Sequence, residues 1–71
     1  MLRRVRIWTG PVQVNEIAKR CEAAGYTNVL AGTEHIHISL EDKLDGWGIL
    51  ESLDKLHADI GVTLGKAQVL R

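Results

Sequence analysis

Between Arg3 and Thr9 the chain alternates, with Arg4, Arg6 and Trp8 in one set of positions and Val5 and Ile7 in the other. Side chains of a strand point to opposite faces in turn, so this is the pattern of a strand with one buried side. After Gly10 and Pro11 the period changes. Val14, Ile17, Cys21 and Ala24 recur at spacings of three, four and three residues, one stripe along an amphipathic helix over residues 11–24. Pro11 suits its first turn, where an N–H has no helical partner. Gly25 stands where a left-handed residue commonly closes a helix.

Tyr26 to Ala31 is a short apolar run with aromatic and β-branched members, and residues 33–41, TEHIHISLE, alternate again. Ile36, Ile38 and Leu40 fall on one side, and Thr33, His35, His37, Ser39 and Glu41 on the other. Two strands joined at Gly32-Thr33 are expected; the alternative is one long strand over 27–40 in a three-stranded sheet. Residues 41–48 are polar and glycine-bearing, a loop in which Asp45 is placed to cap a second helix. The stripe of that helix runs through Ile49, Leu53, Leu56 and Ile60, with Leu50 beside it, and Gly61 ends it. Residues 62–70 read as a last strand that Gly65 bulges or bends.

The order strand, helix, strand, strand, helix, strand predicts an α+β fold. It is the ferredoxin-like βαββαβ sandwich, an antiparallel sheet with two helices on one face. In that arrangement the first and third strands are central neighbours. With Val5, Ile7, Ile36, Ile38, Leu40, Val62 and Leu64 turned to the helices, Arg4, Arg6, Trp8, His35, His37 and Ser39 are left together on the open face.

Composition narrows the picture without identifying a chemistry. A chain of 71 residues is expected to form a single domain, and 45% hydrophobic with 25% charged residues is ordinary for a globular protein. Cores of this size supply only a few kcal/mol, which makes a homodimer a live expectation. Apolar runs are too short to span a bilayer, and the basic start leads into no apolar signal core. The expectation is a cytoplasmic protein with no membrane contact. Cys21 is the only cysteine, so an intramolecular disulfide and a thiolate zinc cage are both excluded. Its place on the helix stripe marks it as a small core residue rather than a nucleophile. Nine basic residues balance nine acidic ones, but unevenly. Residues 1–20 carry Arg3, Arg4, Arg6, Lys19 and Arg20 against Glu16, whereas residues 34–59 carry seven acids against Lys43 and Lys55.

Three readings compete for the open face. In the first, Trp8 and its polar neighbours form a protein contact, either with a partner or with a second copy. In the second, single-stranded nucleic acid stacks on Trp8 while Arg4 and Arg6 follow its phosphates. RNA-recognition domains of this topology carry aromatic-rich motifs on the same two strands. This chain departs from them, with no Phe and its single Tyr elsewhere. In the third, His35 and His37, with Cα atoms roughly 6.5–7 Å apart on one side of a strand, share a metal ion. Further ligands would be needed, and only Glu41 and His57 are nominated. The simpler account of the pair is a wet polar stripe. Heavy-metal-binding domains of this topology use two cysteines after the first strand, where this chain has TGPV. Gly46-Trp47-Gly48 lacks the preceding strand and Lys of a phosphate loop.

No catalytic constellation emerges, so the chain is expected to be non-enzymatic and to need no cofactor. The expected function is a small protein-interaction module, inhibitory or accessory, of the kind found in bacteria and their viruses. It would act through Arg4, Arg6, Trp8, His35 and His37, or through the acidic surface of the second helix, with Trp47 as an aromatic anchor.

Overall fold

The computed structural model describes residues 1–43 and 48–70. In chain order the elements are β1 (Leu2–Trp8), α1 (Val14–Ala23), β2 (Thr27–Ala31), β3 (His35–Glu41), α2 (Gly48–Ile60) and β4 (Ala67–Val69). The strands form a four-stranded sheet in the order β2-β3-β1-β4, antiparallel at every pairing. The fold is therefore α+β, a four-stranded antiparallel sheet with two helices, and the two alternating segments of the sequence are its central strands. Residues 27–41 form two strands rather than one, since Gly32 turns the chain by donating its N–H to the His35 carbonyl at 2.7 Å.

Strand register explains why the core has one side. Val5 pairs with Ile38, Ile7 with Ile36, and Arg3 with Leu40. The apolar members of these pairs join Val14, Ile17, Ala18 and Cys21 of α1 and Ile49, Leu56 and Ile60 of α2 in one buried cluster. Both helices thus lie on the face to which Val5 and Ile7 point. Each fully buried aliphatic side chain contributes about 1.5–3 kcal/mol relative to exposure.

α1 starts at Val14 rather than at Pro11. The reason lies just upstream: Thr9 and Gly10 both donate their N–H groups to the Glu34 carbonyl, at 2.8 and 3.1 Å, and Gly10 takes a positive φ of 84°. The chain is held against the β2–β3 turn and must reverse before it can coil. At its other end the helix closes as expected. Gly25 has φ 94°, its N–H bonds to the Glu22 carbonyl, and the Tyr26 N–H reaches back to Cys21. This pair of reverse bonds satisfies carbonyls that the last turn leaves open. Ala24 is the exposed cap residue and does not extend the core stripe, a place that Ala18 takes instead. Two contacts bind the helical layer together. Arg20 donates to Glu16 one turn back and to the Ile60 carbonyl at the end of α2, and the Tyr26 hydroxyl donates to Asp59 at 2.7 Å.

The last strand is shorter than expected. Residues 62–66 are outside any strand, and Val62 and Leu64 pack against the core, partly buried, from a connection. Bonding to β1 begins where Gly65 donates its N–H to the Trp8 carbonyl at 3.0 Å and the Lys66 carbonyl accepts from the Trp8 N–H at 2.8 Å. The expected capping role of Asp45, and Gly46 and Trp47 beside it, fall outside the described residues. Among the described residues, Asp42 organises the start of α2. Its Oδ1 accepts the Gly48 N–H at 3.2 Å while its Oδ2 accepts Arg3 Nε at 2.8 Å, so one buried carboxylate links β1, the end of β3 and α2. Among the described residues no helix is long and apolar enough to cross a membrane.

Gly48 lies against this junction. A Cβ there would stand 2.5 Å from the Lys43 backbone nitrogen and 3.0 Å from Asp42 Oδ1. Helix propensity alone favours Ala over Gly by about 1 kcal/mol, but a clash with backbone costs about 1–3 kcal/mol. Gly48→Ala is therefore expected to lower the urea midpoint, and a raised midpoint would mean that the junction is looser than described. Asp42→Ala should cost about 2 kcal/mol, because it removes the acceptor of a helix N–H and one charged partner of Arg3.

Candidate interaction face of the sheet

Alternation places the even-numbered residues of β1 and the odd-numbered residues of β3 on the side away from the helices, and register then arranges them in rows. Leu30 of β2, His37 of β3, Arg6 of β1 and Gln68 of β4 form one row across all four strands. His35 and Trp8 are paired in the next row, which Lys66 joins through its bond to Trp8. Ser39 and Arg4 are paired in the row on the other side, which Leu70 joins by donating its N–H to the Arg4 carbonyl at 2.8 Å. The residues expected on the open face are thus brought together, with the histidines half-buried rather than fully exposed. Ser39 is the departure. It is only 6% exposed, because Arg4 and Asn28 both donate to its hydroxyl.

Asn28 has no counterpart in the sequence reading. It sits at φ 55° within an irregularity of the β2–β3 register, a conformation that Asn tolerates better than most residues. From there its carbonyl accepts Arg4 and its amide reaches Ser39. Arg6 is likewise engaged, donating to the Gln68 side chain, and Trp8 donates its indole N–H to Glu34 at 3.2 Å. Arg4 and Arg6 thus lie along the sheet, each held by a hydrogen bond. A surface whose side chains are already ordered loses less rotamer entropy when something covers it.

Trp8 is 45% exposed and Leu30 61% exposed, so the middle row and its neighbour each present apolar surface. Beside Trp8 lies an open concavity of about 640 Å³ whose walls include Arg6, His35, Lys66 and Gln68. Its floor depends on Gly65. A Cβ at that position would stand 2.7 Å from the indole Cε3 and 3.1 Å from the Trp8 carbonyl oxygen. The missing side chain is what lets the chain pass the indole and donate its N–H to the Trp8 carbonyl at 3.0 Å. Where the sequence predicts a bulge or bend at Gly65, the structure shows clearance for Trp8.

The proposed metal ligands do not converge. His35 and His37 share a face, but Glu41 is four residues beyond His37, roughly 13 Å along an extended strand. Its carboxylate pairs with the Met1 ammonium. His57 belongs to α2, on the other side of the sheet, and its Nε2 is buried without a hydrogen-bond partner among the described residues. No group of three or more His, Cys, Asp or Glu side chains suited to an ion gathers among the described residues. Trp47 lies outside them.

Cys21 is fully buried in the core. Burial, reinforced by the nearby Glu22 carboxylate, pushes its thiol up to about 11, so it stays protonated at neutral pH. The Tyr26 phenol is also raised, first by burial and then by its bond to Asp59. For both groups the unfolded chain ionises at lower pH than the native one. The stability they carry is present below about pH 9, and the Cys21 share is lost as pH rises toward 11. Iodoacetamide is expected to label Cys21 only in denaturant. Labelling of the native protein at the rate of a free thiol would contradict its place in the core. Gly65→Ala should shift Trp8 emission in a Trp47→Phe background and cost about 1–2 kcal/mol, the usual penalty of overpacking; an unchanged spectrum and midpoint would show that the indole does not rest on this backbone.

Compared with known protein families, curated proteins and solved structures, the chain matches none.

Proposed function

We propose that this chain is a small, non-enzymatic protein-interaction module of ferredoxin-like form that engages its partner with the open face of the sheet. The strand order β2-β3-β1-β4 supports the ferredoxin-like reading, since it puts β1 and β3 together in the centre as that sandwich requires. The interaction reading is carried by one observation. A half-exposed tryptophan stands at the end of a central strand on the uncovered face, backed by the Gly65 chain and flanked by polar groups, with Arg6 held by Gln68 and the indole N–H by Glu34. A large aromatic in a fixed pose surrounded by polar groups is the arrangement of an interface hot spot, where Trp and Arg contribute most of the binding energy.

Single-stranded nucleic acid is the second reading, favoured by Lys66, which adds a third cation near Arg6 and Trp8. Salt dependence separates the two. Phosphate contacts release counterions and weaken steeply as salt rises, whereas a contact centred on buried indole surface does not. Capture experiments with the wild-type chain, Trp8→Asp and the helix-surface variant Lys19→Glu are expected to show one protein retained by the first and third and lost by the second. Equal capture by all three would contradict the assignment to this face. Quenching of Trp8 by a short oligonucleotide that disappears with added salt would replace protein by nucleic acid as the ligand.

A further inference from the structure

The face described above adjoins two sheet edges, and only one of them is built to accept another strand. At the β2 edge, Asn28 breaks the ladder with its positive φ and commits its carbonyl to Arg4. Irregularities of this kind blunt an edge against pairing. The β4 edge is regular from Lys66 to Leu70. Lys66 and Leu70 bond to β1 through their carbonyl and N–H respectively, and in an antiparallel ladder the residues that face the neighbour alternate. Gln68 therefore also faces β1, and the N–H and C=O groups of Ala67 and Val69 point outward along an exposed strand.

The side chains along that edge have two characters. Ala67 and Val69 are in register with Ile7 and Val5, so they continue the apolar layer, but where Val5 and Ile7 are fully buried Val69 is 38% exposed. On the other side lie Lys66 and Gln68, with Arg6 reaching Gln68 from β1 and the Trp8 concavity behind them. Charge selects the occupant. A second copy of β4 would bring another Lys66 and Arg6 to a face that already holds them, whereas carboxylates would meet complementary charge.

We infer that the partner docks as an extended strand on the outward edge of β4, with acidic side chains toward Lys66 and Arg6 and apolar ones over Ala67 and Val69. This rests on the protein-interaction reading and names the partner's chemistry: an acidic segment of alternating pattern, bound by main-chain hydrogen bonds and selected by its charges. The added strand would extend the apolar layer past Val69 and place a carboxylate opposite Gln68, within a strand spacing of about 4.8 Å.

Calorimetry with the full chain and a capped peptide of alternating Glu and Val tests this. Binding is expected, with Ala67 and Val69 amide signals shifting in nitrogen-15 spectra. The Lys–Val counterpart should bind about tenfold more weakly or not at all. Val69→Pro removes an outward N–H while sparing the bonds to β1, and should reduce binding about tenfold with the helical signal retained. A peptide N-methylated on the groups that pair with β4 should fail in the same way, and this arm does not depend on how the variant folds. Binding untouched by both Val69→Pro and N-methylation would overturn the edge assignment yet leave the open-face reading standing. No binding of the Glu–Val peptide overturns the acidic-strand proposal. So does a dimer of the wild type, dissolved by Val69→Pro, with no affinity for the peptide; the edge would then belong to a second copy.

Discussion

Two adjacent strands can turn their side chains in only two directions, and at the centre of this sheet that restriction organises everything else. Val5 and Ile7 of β1 stand opposite Ile38 and Ile36 of β3, and the four share a buried cluster with both helices. Once those pairs face the helices, Arg6, Trp8, His35 and His37 have no other place than the opposite surface. Moving β1 by one residue along β3 would bury Arg4 and Arg6 and expose Val5 and Ile7, at a cost far beyond the stability of so small a domain.

The central strands and both helices were legible because their periods are strong and their neighbours in sequence decide them. Ile36, Ile38 and Leu40 alternate without a break, and the stripe through Ile17 and Cys21 marks α1 as plainly. The misread parts were those decided by contacts distant in sequence. Residues 62–66 have the composition of a strand, yet among the described residues their backbone bonds to the sheet are those of Gly65 and Lys66 to Trp8, more than fifty residues upstream, and the ladder proper starts at Ala67. Pro11 is a good first residue for a helix, but Glu34 holds Thr9 and Gly10 and delays the start to Val14. Ser39 lies on the expected face but out of solvent, since Arg4 and Asn28, the latter in its left-handed conformation, both reach its hydroxyl.

Glycine and asparagine carry much of what sequence pattern leaves unsaid. Gly65 gives the indole of Trp8 a backbone to lie on, Gly48 lets α2 start against Asp42, and Asn28 both disrupts one edge of the sheet and fixes Arg4. These residues make the open face rigid and make its two edges unequal. Pattern analysis treats them as punctuation because their effect depends on what approaches them in space. The candidate site follows the same logic: alternation names its residues, but Arg4 is ordered by Asn28, Trp8 by Glu34 and Gly65, and Arg6 by Gln68.

Solvent paramagnetic relaxation offers the most direct test of the two-sided sheet. With a soluble gadolinium chelate added, side-chain signals of Leu30, Trp8 and His37 should broaden strongly, while those of Ile36, Ile38 and Val5 should remain sharp. Sharp His37 and Trp8 signals beside broadened Ile36 would mean that the central strands face the other way, and the account of both core and open face would fail together.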